Sequence, residues 1–307
     1  MITVLSGGTG TPKLLQGLSQ LLKPEELSVI VNTGEDVEVS GLHVSPDLDT
    51  VVYTLAGIIN EETWYGIKGD TFFCHEALKR LGHVELLRIG DRDRATKFHR
   101  TLMLKQGKPL SAVTKSLCER FGVRANVMPM SDWGVQTLVN TEVGTMQFHE
   151  FWVVRRAKDR VRGVKFEGAE DAKPTPGVIE ALGRSEVIII GPSNPVTSIG
   201  PILAVKEIRE ALSNNREKVV AVSPIVGNAP VSGPAGVLME GLGYEVSPAG
   251  VARLYCEVAD TLVLNRADEQ FGQAITELGM KVAFTDTLMP DHATRVGLAR
   301  EILAIRR

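Results

Sequence analysis

Two aspartates two residues apart, Asp47 and Asp49, stand in the run His43-Val-Ser-Pro-Asp47-Leu-Asp49-Thr50, and a third, Asp36, closes Asn32-Thr-Gly-Glu-Asp36. Side chains two apart share a face of an extended chain, so Asp47 and Asp49 would point together, with Asp36 converging from the end of a neighbouring strand. Two or three carboxylates at one phosphate site make an oxygen-ligand set for Mg²⁺. The competing origin for an acid here is a helix starting near Asp49, since Val51–Ala56 looks helical and a helix N-terminus favours negative charge. That accounts for Asp49 and leaves Asp47 over.

Anion chemistry is written beside them. Ser6-Gly7-Gly8-Thr9-Gly10-Thr-Pro12-Lys13 has the glycines that let backbone N–H groups approach a phosphate, a proline suited to a first helical turn, and a lysine. It is neither a G-K-[ST] loop nor a G-x-G-x-x-G fingerprint. Gly191-Pro-Ser193-Asn194-Pro-Val-Thr-Ser198 carries three short polar side chains where one would suffice to cap a helix. Arg88, Arg92 and Arg100 could clamp phosphates or a carboxylate, or lie on a solvated helix start. Trp64-Tyr65 could stack on a flat ring or belong to the core. The six histidines show no metal-ligand spacing, and no nucleophile triad can be assembled.

Such residues need a frame. Short β-branched runs at Ile2–Leu5, Ser28–Val31, Glu186–Ile190, Lys218–Val222 and Thr261–Leu264 alternate with amphipathic stretches at Lys13–Leu22, Thr71–Leu81, Leu203–Leu212 and His292–Ile305. That alternation predicts an α/β fold, a Rossmann-like doubly wound and mostly parallel sheet. Its carboxyl edge would gather the glycine loop, Asn32–Asp36, Gly191–Pro201 and the loop opening at Ser223. Arg88 is expected at the end of a further strand. Helices over Ala95–Phe121 and a hairpin turning near Gly144, between Val135–Val139 and Thr145–Trp152, predict a small helical and β-hairpin subdomain at about 95–172, inserted into a single domain of 307 residues.

Composition excludes several classes. With 43% apolar and 23% charged residues the chain is globular, and a net charge of −3 gives no field for nucleic acid or an anionic membrane. No apolar run approaches the roughly 20 residues of a membrane helix. Three scattered cysteines and no leader read as cytoplasmic, and a homodimer is the default assembly.

Six segments together resemble the CofD family of 2-phospho-L-lactate transferases of coenzyme F420 biosynthesis. They are the loop from Ser6, Val44-Ser-Pro-Asp-Leu-Asp-Thr-Val, Gly90-Asp-Arg-Asp-Arg-Ala-Thr, Pro129-Met-Ser-Asp, Gly191–Ile202 and Val222–Gly236. The resemblance runs from residue 1 to about Leu288. It implies that Fo, a deazaflavin with a ribityl chain, attacks lactyl-2-diphospho-5′-guanosine to give F420-0 and GMP with Mg²⁺; phosphoenolpyruvate- or phosphoglycerate-derived donors differ by few atoms. By motif, Asp49 and Arg88 would contact Fo, with Asp49 and Asp47 catalytic. Gly7, Gly8, Thr9, Gly10, Lys13, Asn32, Ser193, Asn194, Ser198 and Ser223 would hold the nucleotide, and Asp36, Asp47 and Asp49 the metal.

The sequence departs from the family pattern at Glu35, where many relatives have Asp, at Trp133 and at His149. A related bacterial regulatory family that binds nucleotide sugars shares the glycine loop but is not expected to carry Ser-Pro-Asp-Leu-Asp-Thr or Gly-Asp-Arg-Asp. A nicotinamide oxidoreductase is disfavoured by the missing G-x-G-x-x-G and the missing ribose-binding acid after strand two.

Overall fold

Seven apolar runs pair side by side at the centre of the protein. In the computed structural model, which describes residues 1–305, they are β1 (Ile2–Ser6), β2 (Leu27–Val31), β3 (Asn126–Pro129), β4 (Val187–Ile190), β5 (Val219–Val222), β6 (Thr261–Asn265) and β7 (Lys281–Thr285). All neighbours are parallel, in the order β7-β6-β5-β4-β1-β2-β3. Parallel strands covered on both faces carry unbroken apolar runs, and β4, Val-Ile-Ile-Ile, is buried throughout.

Strand alternation divides the core in two. Val187 and Ile189 pack on one side with α1 (Gly10–Leu18), α2 (Pro46–Leu55), α5 (Leu110–Arg120) and the last helix, His292–Ala304. Ile188 and Ile190 pack on the other, against the helices between residues 178 and 255. Before α5 come α3 (Phe73–Arg80) and α4 (Asp91–Lys105). The chain builds outward from β1 through β2 to β3, then returns to β4 and builds the other way. The order therefore reverses between β1 and β4, and the crevice outside their carboxyl ends is where ligands bind in such sheets.

Three local expectations change. Residues 95–172 do not form a body apart, because β3 within them is the edge strand of the main sheet and α4 and α5 belong to the crossover leading to it. What remains is a three-stranded antiparallel ribbon, Gly144–Gln147, Gln136–Thr141 and Val161–Glu167, with Thr141 opposite Gly144 at the turn. The stretch expected to continue as strand to Trp152 instead winds into a π-helical turn, Glu150–Val154. No strand precedes Arg88: the chain there finds no sheet edge, and Leu87 and Ile89 bury against Val37, Val39 and Val44 instead.

Candidate active site

The loops after β1 and β4 are pressed together at the switch point, and glycine makes that possible. A Cβ on Gly10 would stand 1.9 Å from the Pro192 carbonyl oxygen, and one on Gly7 2.7 Å from that of Ser198. Ser193 stitches the two loops. Its hydroxyl donates to the Gly7 carbonyl and accepts from the Thr11 N–H at 2.9 Å. The Thr11 hydroxyl, 2.7 Å away, is then its second donor. Asn32 is spent in the same way: its amide N–H₂ donates to Asp47 Oδ2 at 2.9 Å and to the Thr197 carbonyl, and its oxygen accepts from the Gly34 N–H. Ser223 closes a turn on Ile225. These side chains frame the site more than they face a ligand.

The crevice they frame is a cavity of about 600 Å³. Of the expected nucleotide residues, Gly8, Thr9, Gly10, Lys13, Ser193, Asn194, Ser198 and Ser223 line it, while Gly7 and Asn32 lie behind. Four aromatic residues, Trp64, Tyr65, Phe148 and Trp152, are in the lining, as are residues 231–235 and 287–290. Lys13 is half-buried and, among the described residues, has no ion pair; burial first and the Arg295 charge second lower its pKa. The Asn194 oxygen accepts from the Val196 N–H, which leaves its buried Nδ2 without an acceptor. A cation that has no counter-ion among the described residues and rests over the Trp64 ring at 5.4 Å, with an amide donor that has no acceptor, suits an anionic oxygen ligand.

Two carboxylates, Glu35 and Asp47, line the same cavity. Asp47 Oδ1 accepts from the Gly8 N–H at 2.8 Å, so the glycine loop and the first turn of α2 are fastened together. Burial pushes the Asp47 pKa up against the Asn32 and Gly8 hydrogen bonds that oppose it. Burial first, then the Asp47 charge, pushes Glu35 well above its ordinary value. Glu35 Oε1 is buried and makes no hydrogen bond of good geometry, although the Thr197 hydroxyl lies near enough to oppose the upward shift. Two acids that resist ionising together, one with an orphaned oxygen, are a donor set that a divalent cation relieves.

Asp49 is placed elsewhere. Asp47 and Asp49 lie in the first turn of α2, not on extended chain, and residues two apart on a helix face away from each other. Asp47 meets the cavity. Asp49 turns to α4, where both its oxygens take Arg100 and Oδ2 also takes Lys97 at 2.9 Å. Burial works against its charge, but Arg100 and then Lys97 outweigh it and the pKa is lowered. Asp36 accepts from Ser45 at 2.7 Å and pairs with His43, with Oδ1 left unpartnered. Among the described residues no three acidic, histidine or cysteine side chains converge on a common metal position, so the three aspartates do not form one cluster.

Arg88 is exposed, its guanidinium 3.8 Å from the centre of the Phe72 ring, one residue beyond Leu87 of the cavity lining. The Gly90-Asp-Arg-Asp segment has an architectural use. Asp91 accepts the Phe73 and Cys74 N–H groups at the start of α3, and Asp70 accepts those of Arg92 and Asp93 at the start of α4. Glu35, which the sequence marks as a departure from the family pattern and not as one of the expected metal residues, lines the cavity, while its neighbour Asp36 does not.

The whole chain has known relatives. The family model for CofD, 2-phospho-L-lactate transferase, matches residues 2–293. The 2-phospho-L-lactate transferase of Methanopyrus kandleri is 54% identical, with 99% of this chain and 97% of the relative covered. That of Methanocaldococcus jannaschii is 50% identical at the same coverage. A crystal structure of a UPF0052-family protein from Bacillus halodurans superposes with a TM-score of 0.70 over 98% of both chains at 16% identity, a likeness of fold. With the family match spanning nearly its full length and identities near one half, the chain belongs to the CofD family of 2-phospho-L-lactate transferases.

Proposed function

We propose that this protein transfers the 2-phospholactyl group of lactyl-2-diphospho-5′-guanosine to the terminal ribityl hydroxyl of Fo, producing F420-0 and GMP in coenzyme F420 biosynthesis. The observation that carries this reading is one cavity at the switch point lined together by Lys13, which has no ion pair among the described residues, the free Asn194 amide, Glu35 and Asp47. Phosphoryl transfer asks for positioning and charge neutralisation rather than a covalent nucleophile, and this cavity offers the parts for both.

Lys13, the Thr9 and Gly10 amides of the glycine loop and the Asn194 Nδ2 hold the diphosphate. Glu35 and Asp47 are the residues that would hold Mg²⁺, and the orphaned Glu35 Oε1 supports that fit. When bound, the ion neutralises diphosphate charge and lowers the pKa of the attacking hydroxyl. The aromatic lining residues, among them the half-exposed Trp152, take the deazaflavin, and Arg88 is a further acceptor contact. The ribityl oxygen bonds to the lactate-bearing phosphorus, the bond to the bridging oxygen breaks, and GMP leaves carrying that oxygen and the hydroxyl proton. Asp49 acts from beneath by fixing the first turn of α2, and with it Asp47.

Titration with Fo in the presence of GDP and Mg²⁺ tests the reading, following deazaflavin fluorescence. Saturable binding of Fo is expected. A protein that binds GDP and ignores Fo would be a nucleotide-binding regulator, and the transferase reading would fall.

A further inference from the structure

A buried carboxylate with one unused oxygen lies at the same sheet edge, outside the residues described above. Asp268 follows β6, is fully buried, and accepts the Gly227 N–H at 2.7 Å through Oδ1; its Oδ2 has no partner. Gly227 forms the turn of a two-stranded ribbon, Ile225–Val226 with Ala229–Pro230. The residues flanking that ribbon, Ser223 and Pro224 on one side and Val231 and Ser232 on the other, line the cavity. Asn265, at the end of β6, accepts the Ala267 N–H and reaches the hydroxyl of Thr287, another lining residue, at 3.3 Å. Asp268 is therefore tied to one loop that borders the cavity, just behind its lining and three residues beyond the Asn265 that reaches the other, under a turn whose glycine has open space beside its α-carbon.

We propose that Asp268 is the specificity residue that reads the guanine of the donor, an assignment that rests on the guanosine-linked donor proposed above. Guanine carries two adjacent donors, N1–H and the N2 amino group, on one edge. A carboxylate is an acceptor-only fork that matches them, whereas adenine presents an acceptor at N1 and would meet it lone pair to lone pair. Leaving a carboxylate oxygen buried without a donor is costly, and a base that supplies one removes that cost. The free Oδ2 accepts one of the two donors, and Oδ1 accepts the other when the ribbon turn lifts and the Gly227 N–H lets go.

Binding of nucleoside diphosphates to the full-length protein with Mg²⁺, by calorimetry, tests this. The wild type is expected to bind GDP more tightly than inosine diphosphate, which lacks the N2 amino group, and than 1-methylguanosine diphosphate, which lacks N1–H, each by roughly 10- to 100-fold. Asp268→Asn is expected to lose GDP by a similar factor and to gain xanthosine diphosphate, whose 2-oxo group accepts from the new amide. Equal wild-type affinities for GDP, its inosine analogue and its 1-methyl analogue overturn the assignment, and so does a folded Asp268→Asn that weakens GDP and xanthosine diphosphate alike. The comparison of analogues on the wild type stands even if the variant does not fold. If GDP and ADP bind equally well, the guanosine donor itself is wrong, which is a different failure from GDP preference without discrimination at N1 and N2.

Discussion

Asp49 is clasped by Arg100 through both carboxylate oxygens, with Arg100 Nη1 3.2 Å from Oδ2. Lys97 Nζ shares that oxygen and also bonds Asp93, which in turn accepts the Tyr53 hydroxyl at 2.7 Å. All five side chains are buried, and the two acids balance the two bases. Removing one member of such a set leaves an uncompensated charge in the interior. Arg100→Met is expected to cost about 3–5 kcal/mol, read as the drop in urea-unfolding stability. Asp49→Leu with Arg100→Met should recover part of it, since the matched loss removes the stranded charge. A brace of this kind also predicts that Asp49→Asn lowers stability at least as clearly as it changes the KM for Fo.

The Glu35–Asp47 pair predicts a metal requirement set by these two side chains. Chelation with EDTA should stop transfer, and added Mg²⁺ should restore it. Asp47→Asn and Glu35→Gln should each raise the Mg²⁺ concentration needed for half activity, and each should lower kcat/KM by about 100-fold or more. Full activity of both variants in chelator would place the ion elsewhere or dispense with it.

Contact between the loops after β1 and β4 should be intolerant of a single carbon. Gly10→Ala puts a methyl 1.9 Å from the Pro192 carbonyl. The loops must part, at about 1–3 kcal/mol, and GDP binding should fall with stability. Ser193→Ala leaves the Thr11 N–H and the Gly7 carbonyl short of a partner and is expected to cost about 1–3 kcal/mol. Thermal unfolding of the two variants, with and without GDP, separates the framing role from direct ligand contact.

A pH dependence arises away from the cavity. Burial disfavours the charge on Glu85, but hydrogen bonds from Arg94, His75 and Ser40 hold its pKa down at about 2, against an ordinary value of 4.5. A depressed acid contributes stability above its unfolded value and loses it as the pH falls towards the folded one. The stability lost by Glu85→Gln should therefore be full at neutral pH and shrink between pH 4.5 and 2. A difference that stays constant across that window would contradict the ion pair.

Much of this was legible before the fold was known. The five central strands stood out because parallel strands buried on both faces carry unbroken β-branched runs, and the edge strands β3 and β7 did not, since β3 contains a proline and β7 is partly exposed. The glycine loop was legible from its composition. The direction of Asp49 was not. Whether two acids two residues apart converge or oppose depends on whether the chain is extended or helical, and Pro46 at the start of α2 decides it. Ser193 and Asn32 read as ligand contacts because their polarity was visible and their partners, Gly7, Thr11 and Thr197, were far away in sequence. Glu35 became a site residue only when folding buried it beside Asp47.

The central claim is the bond that breaks. Mass spectrometry of a reaction containing Fo, lactyl-2-diphospho-5′-guanosine, Mg²⁺ and this protein should find F420-0 and GMP formed one for one as Fo disappears. Unchanged Fo, or a guanylylated Fo with free 2-phospholactate from attack on the other phosphorus, would contradict the account.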